Sequence, residues 1–501
     1  MSELKAPIYE MLMKHLSKDP VSFHVPGHRY GNALRQWIAS KRLAQSDYHP
    51  LISIMEIDVT ELSSTDDLHH PEACIAESER LAAQCFGAEH SYLLVGGSTS
   101  GNIAIILALC QPGDLIIVQR NVHKSIVNGL KLAGASAVFL APQYDSHSGL
   151  ATVPSLKQLE QALQRYPEAK GVIFSTPNYY GINTPLQSYI ELTHHYDKPF
   201  IVDEAHGAHY SMHPALPTSA IYGGADAVVQ STHKTLLAMT MGAMLHVQGS
   251  RIKRDVLREH LSMVQSSSPS FPIMASLDIS RAIMDCEKDR LFHKALLLVD
   301  QFRNWLEEKS LLIQDMYGAT LLRNKDLQYD PLRIVLFDSS GQLSGVQLHK
   351  ELERDGCWPE MSDARYVVLV VSVSVTEKEM ERLKQSLIRI QQNVAPLYQS
   401  NPVAITPTAL QPTQGDGIGA PTAFHRGPYD QAKTVQLPLR EAVGRLSAEN
   451  VIPYPPGIPL LYRGEPITEE AIQQISRLAS VGAKFQGACD VKMQSITVIH
   501  D

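Results

Sequence analysis

Residues 226–234 read DAVVQSTHK. A short β-prone run, 226–230, is followed at once by Ser231, Thr232, His233 and Lys234. Short apolar runs of this kind are buried strands when helical patterns flank them. In an open parallel sheet, ligands gather beyond the carboxyl ends of the strands. Lys234 therefore stands where chemistry is done. A lysine in a partly desolvated pocket loses ammonium character and becomes a nucleophile. The plain alternative is a solvated surface lysine.

Working outward, the same rhythm holds on both sides. Strands are expected at 91–95, 114–118, 136–141, 170–175, 199–203 and 243–247, besides 226–230. Helical patterns fall near 101–110, 124–133, 155–165 and 186–196. Strands alternating with helices imply an α/β domain with a mostly parallel sheet covered on both faces. A long helical stretch, about 276–310, leads away from it. Strand-like 331–337 and 366–373, with helical 344–354 and 376–391, then suggest a smaller α+β domain.

Residues 1–80 show no sustained period beyond a short amphipathic pattern at Ile8, Met11, Leu12 and Leu16, and read as an irregular arm. The expected division is an arm at 1–80, a large α/β domain at 81–275, a small α+β domain at 276–394, a Pro-rich linker or loop at 395–430 and a C-terminal domain at 431–501.

Three further signals join the lysine. Asp203 ends strand 199–203, within VDEAHGAH (202–209). A buried carboxylate there can hold a pyridine nitrogen protonated, and that ion pair makes the ring an electron sink. A helix N-cap is the ordinary alternative. Residues 96–102, GGSTSGN, join a strand to a helix. Glycines there allow close backbone approach, Ser98, Thr99 and Ser100 offer hydroxyls, and the helix N-terminus favours a phosphate. An ordinary capped turn would look similar, and no Lys makes it a Walker loop. His123, just past strand 114–118, suits stacking on a flat ring or an ordinary turn. All four signals fall at strand carboxyl ends. A metal reading of Asp203, His206 and His209 explains less, because no fourth ligand is obvious and Lys234 is left without a role.

Composition narrows the classes. The 501 residues are 44% hydrophobic and 19% charged, with a formal charge of −8, which suits an ordinary globular protein and argues against a nucleic-acid backbone as main partner. Six scattered cysteines form no CxxC pair and suit a reducing cytoplasm. No run approaches the ~18 apolar residues of a membrane span, and the first residues lack a signal-peptide pattern.

At these motifs the chain resembles the fold-type-I pyridoxal-phosphate (PLP) enzymes. More narrowly it is similar to the bacterial-type ornithine/lysine/arginine decarboxylases. The likeness runs through FHVPGH (23–28), DDLHHP (66–71), GGSTSGN (96–102), RNVHKS (120–125), VDEAHGAH (202–209), STHK (231–234) and EAVGRLSAENVIPYPPGIPLL (441–461). The last stretch separates this family from general aminotransferases. The family's N-terminal wing domain has no counterpart before the arm, so a short form is expected. Where the family arm often reads GHK, this chain has His28-Arg29, which keeps the charge.

The resemblance implies roles. Lys234 would hold PLP as a Schiff base, Asp203 would pair with the pyridine nitrogen, and His123 would stack on the ring. Ser98, Thr99 and Ser231 would bind the phosphate. His206 would lie beside the ring and His233 beside the lysine, with Lys234, His123 and His233 as the catalytic set and no metal. Ser266–Ser268 would reach a neighbouring subunit, so a cytoplasmic homodimer is the minimum expectation. The implied reaction is decarboxylation of a basic amino acid in polyamine biosynthesis. Arginine, giving agmatine, is placed first, lysine second and ornithine third. Asp66, Asp67, Glu441 and Glu449 are candidates for the distal cation; the bland reading of each is a local salt bridge or a solvated carboxylate. The rival functions are another fold-type-I activity, such as an aminotransferase or carbon–sulfur lyase, a catalytically silent subunit, and a metal hydrolase.

Overall fold

A computed structural model describes residues 4–42, 48–317, 326–394, 416–424, 433–454, 459–480 and 483–500. The chain divides into two compact units. One comprises 1–109, 201–213 and 218–290; the other comprises 110–200, 214–217 and 291–501. Eight strands are numbered in chain order: β1 (His90–Leu94), β2 (Leu115–Gln119), β3 (Ser136–Leu140), β4 (Val172–Ser175), β5 (Ile182–Asn183), β6 (Phe200–Asp203), β7 (Ala227–Gln230) and β8 (Ala243–Val247). All seven strands expected from the sequence are among them; the two-residue β5 was not foreseen.

In the first unit the strands lie in the order β1-β8-β7-β6. β6 and β7 run parallel, with Asp203 opposite Val229. β8 runs antiparallel to both β7 and β1. Every residue of β6, β7 and β8 is buried, as strands covered on both faces must be. The helix Gly97–Leu109 lies close against this sheet because residue 101 is glycine. A Cβ there would stand 2.8 Å from Leu94 Cδ1 and 3.1 Å from Val229 Cγ1. The motif glycine thus sets how near the helix, and its N-terminus, can come to the strand ends.

The N-terminal arm is more ordered than its sequence suggests. Pro7–Leu16, Asn32–Ser40 and His49–Glu56 are helices, and Cys74–Phe86 begins a fourth. The helix Pro7–Leu16 carries the amphipathic pattern at Ile8, Met11, Leu12 and Leu16; the other short helices show no such period, and tertiary bonds help to hold the arm. Ile8 N–H donates to Asp278 Oδ2 at 2.8 Å, while fully buried Arg281 donates to Asp278 Oδ1 at 2.7 Å.

In the second unit β4, β2 and β3 are parallel neighbours. Residues 416–424, the described part of the Pro-rich 395–430 segment, are not a bare linker. Thr422–Ala423 pairs antiparallel with β3, and Gly419 N–H donates to Phe139 O at 2.8 Å. Edge pairing uses backbone groups alone, so it leaves no side-chain pattern to read. Residues 395–415 and 425–430 lie outside the described residues, as do 455–458 of the YPPGIP run.

The expected long helix is Phe271–Lys309. The small α+β region follows as a four-stranded antiparallel sheet: Met361–Ser362, Val367–Val370, Arg333–Asp338, Ile313–Asp315. The helices Gly345–Arg354 and Glu377–Val394 belong to it, the first opened by a Ser344–Gln347 capping box. The last residues form two antiparallel pairs, Thr434–Pro438 with Ser495–Ile499 and Ile452–Tyr454 with Lys484–Gln486. With the helix Glu469–Ser480 they enclose a separate core that includes Val451, Leu461, Ile475, Phe485 and Ile496. No helix among the described residues is long and apolar enough to cross a membrane.

Candidate active site

The first unit brings seven of the eight sequence-predicted residues into one compact body. β7 ends at Gln230, and Ser231 leads into the one-turn helix Thr232–Thr235 that carries Lys234. Lys234 Nζ lies 3.0 Å from His206 Nε2. His206 is buried and follows Asp203 across a tight turn in which Ala205 N–H donates to Asp203 Oδ1 at 3.2 Å. His233 Nδ1 lies 2.9 Å from Gly242 O. A carbonyl only accepts, so Nδ1 carries a proton, and in the neutral ring Nε2 is left as acceptor.

Asp203 is buried, and Asn102 Nδ2 donates to its Oδ2 at 3.0 Å. Burial pushes its carboxyl above the usual range; the charge of Lys234, the Asn102 bond and the Ala205 N–H pull the other way. A cationic ring nitrogen would favour the ionised form. Asn102 comes from the GGSTSGN motif, so that loop supports the acid as well as the helix start.

At the helix start, Ser231 Oγ donates to Ser98 Oγ at 2.8 Å. Two hydroxyls from different strand ends therefore converge beside a helix N-terminus, whose first amides have no partner within the helix. Thr99 is exposed in the same first turn. Ser100 departs from expectation: it is buried, and its hydroxyl donates to Gly97 O at 2.8 Å within its own helix. Gly97 has φ +71°, the left-handed backbone that glycine adopts without strain.

Sequence reasoning missed a buried polar chain behind these residues. Glu204 accepts from Ser219 Oγ (2.7 Å), Ala220 N–H (2.8 Å) and Gln230 Nε2 (2.6 Å). Gln230 Oε1 faces His246 Nε2 at 3.2 Å, and His246 Nδ1 faces Ser91 Oγ at 2.7 Å. An amide oxygen only accepts, so the His246 proton sits on Nε2 and Ser91 donates to Nδ1. Burial lifts Glu204 to about 7 and lowers His246 to about 3. The chain thus ties the residue after Asp203 to the residue before Ser231. The only signal in the sequence was the Asp-Glu pair itself.

His123 belongs to the second unit. It is the N-cap of helix Lys124–Ala133, and its Nδ1 accepts from Ser125 N–H at 3.2 Å. Nε2 then carries the proton in the neutral ring.

The candidate carboxylates for a distal cation separate clearly. Asp66 is buried and accepts from the amides of Asp67, Glu72, Ala73 and Ile75, so it organises the start of helix Cys74–Phe86. Glu449 is buried and accepts from Cys489 N–H, Thr497 N–H and Thr497 Oγ1. Both carboxylates are engaged locally by backbone amides, in keeping with the bland reading that the sequence allowed for. Asp67 accepts from His69 N–H, and Glu441 is exposed in the turn Leu439–Glu441. Ser266–Ser268 are exposed, and Ser266 O lies 2.9 Å from His69 Nε2 of the DDLHHP motif. Asp203 accepts from Asn102 and Ala205, and His206 Nε2 lies beside Lys234 Nζ. Among the described residues no group of three His, Cys, Asp or Glu gathers as a metal site.

The Orn/Lys/Arg decarboxylase major-domain model matches residues 6–379, and the C-terminal-domain model of the same family matches 422–489. The chain belongs to the Orn/Lys/Arg decarboxylase family. It is an amino-acid decarboxylase by that membership. It is 38% identical to the uncharacterised protein YaaO of Bacillus subtilis, over 99% of this chain and 98% of that one. It is 33% identical to an arginine decarboxylase of Bacillus subtilis, over 100% and 99%, and 31% identical to one of Bacillus anthracis, over 100% and 98%. Lysine decarboxylases stand further off: LdcA of Pseudomonas aeruginosa is 25% identical over 93% of this chain and 74% of its own. The solved lysine decarboxylase LdcF of Francisella novicida superposes with a TM-score of 0.80 at 20% identity, covering 99% of this chain and 82% of that one. That likeness shows the decarboxylase fold.

Proposed function

We propose that this family member uses PLP to decarboxylate arginine to agmatine, in the cytoplasm and as a homo-oligomer of at least two chains. The observation that carries the cofactor is the joint placement of Lys234, buried Asp203 and the facing Ser98 and Ser231 hydroxyls in one compact unit. These residues fit PLP: a lysine for its aldehyde, a buried carboxylate for its ring nitrogen, hydroxyls and a helix N-terminus for its phosphate. When bound, PLP supplies the electron sink that lets a carbon–carboxylate bond break.

The remaining chemistry falls to the chain's own residues. Asp203 supplies fixed negative charge, held in place by Asn102. His206 stands within proton-transfer distance of Lys234 Nζ, so the pair can pass a proton to and from that nitrogen. His233, with its Nδ1 proton held by Gly242 O, has Nε2 as the acceptor nitrogen of its neutral ring. His123 serves as the ring-stacking residue, and Thr99 adds a first-turn hydroxyl to the phosphate set. Asp67 and Glu441 are the carboxylates left for the guanidinium, and Ser266–Ser268 the run left for a neighbouring subunit.

Support for arginine comes from the full-length relatives named arginine decarboxylases, which are nearer than those named for lysine. The test is a panel of arginine, lysine and ornithine on the PLP-loaded protein, following CO₂ and amine. Agmatine from arginine with the highest kcat/KM is expected. Cadaverine or putrescine as main product would overturn the substrate. Keto-acid without CO₂ would overturn the reaction.

A further inference from the structure

Between the helix that carries Lys234 and β8 the chain forms a short strap, residues 236–242 (LLAMTMG), which the chemistry above leaves without a task. Two hydroxyls fasten it to the helix Phe271–Lys309. Leu237 N–H donates to Ser280 Oγ at 3.1 Å, and Met239 N–H donates to Ser276 Oγ at 3.0 Å. Ser276 Oγ in turn donates to Ile273 O at 2.7 Å, so its proton is directed away and a lone pair faces the strap. Gly242 lies against the same helix. A Cβ there would stand 3.0 Å from Met239 O and 3.1 Å from Leu277 Cδ2. The strap ends in a turn that Gly242 N–H closes by donating to Met239 O at 2.9 Å. The third residue of that turn, Met241, has φ +76°. A type II turn takes glycine at this position, because a side chain is strained there. The Met241 side chain is 49% exposed, so burial within the chain offsets little of that cost.

The last two carbonyls of the turn both reach the site. The β1–β8 ladder ends with Leu94 opposite Ala243. Beyond it Met241 O accepts from Gly97 N–H at 2.9 Å, where GGSTSGN enters its helix. Gly242 O accepts from His233 N–H at 3.1 Å and from His233 Nδ1 at 2.9 Å. We propose that the strap positions the phosphate loop and His233 together, with left-handed Met241 setting the turn on which both depend. Strain at a residue persists only where its surroundings over-determine it. Here the two serines, the turn bond and the two accepting carbonyls do so. If residue 241 relaxed to negative φ, the central peptide of the turn would rotate, and the carbonyls of Met241 and Gly242 would shift together. Met241, Ser276 and Ser280 are therefore positioning residues for groups at the strand ends. All of these residues belong to the first unit.

This inference rests on the PLP reading, in which residues 96–102 hold the phosphate. The experiment uses the full-length protein as wild type and as Met241→Val, Met241→Gly and Ser276→Ala. The readouts are hydrogen exchange over residues 95–102 and 232–243, and the Kd for PLP beside that for pyridoxal, which lacks the phosphate. A β-branched residue tolerates positive φ worst. Met241→Val is therefore expected to speed exchange in both stretches and to raise the Kd for PLP about tenfold, on the scale of one hydrogen bond, while the Kd for pyridoxal changes less than about twofold. Met241→Gly keeps the turn and should leave exchange and both Kd values at the wild-type level. Ser276→Ala should move the readouts as Met241→Val does, but less. Wild-type exchange at 95–102 in Met241→Val overturns the strap. An equal loss of PLP and pyridoxal overturns the positioning of the phosphate loop, because general loosening weakens both ligands alike. Equal shifts in Met241→Val and Met241→Gly overturn the part given to the turn. If the wild-type protein binds no PLP, the cofactor reading fails instead, and the exchange result still decides the strap. Should Met241→Val not fold, Met241→Ala strains the turn less and the same outcomes apply.

Discussion

Two regions carry the residues assigned to chemistry, and they are held in different ways. The strand ends that bear Asp203 and Lys234 are supported from within. Glu204, next to Asp203, accepts from Gln230, which precedes Ser231, and the chain runs on through His246 to Ser91. The loop that bears His123 is supported from outside, by residues more than 300 positions further along the sequence. The first region is a buried polar frame whose parts lie on or beside the neighbouring strands β6, β7, β8 and β1 of one unit. The second is bonded at both of its ends by residues of the C-terminal domain.

The largest effect that would sharpen this contrast is at Lys234. Lys234→Ala should lower CO₂ release by about 10³-fold or more, since no other group replaces a covalent nucleophile. Asp203→Asn should follow, with kcat down roughly 10²-fold or more as a buried charge aimed at the ring is lost. Both variants should keep wild-type exchange at 120–126. His123→Ala should cost only about tenfold, mostly in PLP affinity. A loss at His123 equal to that at Lys234 would break the comparison.

A smaller effect concerns pH. Burial raises Glu204 from 4.5 to about 7. A carboxyl raised on folding favours the protonated native state, so its contribution is fully present below pH 4.5 and is lost as pH rises through about 7. In the PLP-free protein Glu204→Gln should flatten the fall in Tm across that window. An unchanged slope would show that Glu204 does not titrate there. The smallest expected effect is structural. Gly101→Val should reduce stability by about 1–3 kcal/mol through the clash with Leu94 and Val229, seen as a lower urea midpoint.

Legibility divides along the same line. The seven strands and the loops at their carboxyl ends were readable because apolar runs, glycines and chemically active residues sit close together in sequence. Asp203, Ser98, Ser231 and Lys234 fall where that pattern placed them. Ser100 was misread because nothing in the sequence tells which of three adjacent hydroxyls turns back onto its helix. The local amide bonding of Asp66 and Glu449 was not legible, because amide partners leave no composition signal. The arm's helices Asn32–Ser40 and His49–Glu56 and the edge strand at Thr422–Ala423 left no period to read, whereas Pro7–Leu16 did. The Arg120–Glu465 pair joins residues far apart in the chain, so only the folded molecule shows it.

The most direct test of the whole assignment is borohydride reduction of the PLP-loaded protein, followed by peptide mass mapping. A single cofactor-sized mass increase on the peptide bearing Lys234, abolished by Lys234→Ala, is the expected result. A label on any other lysine, or an undiminished label in Lys234→Ala, would contradict it.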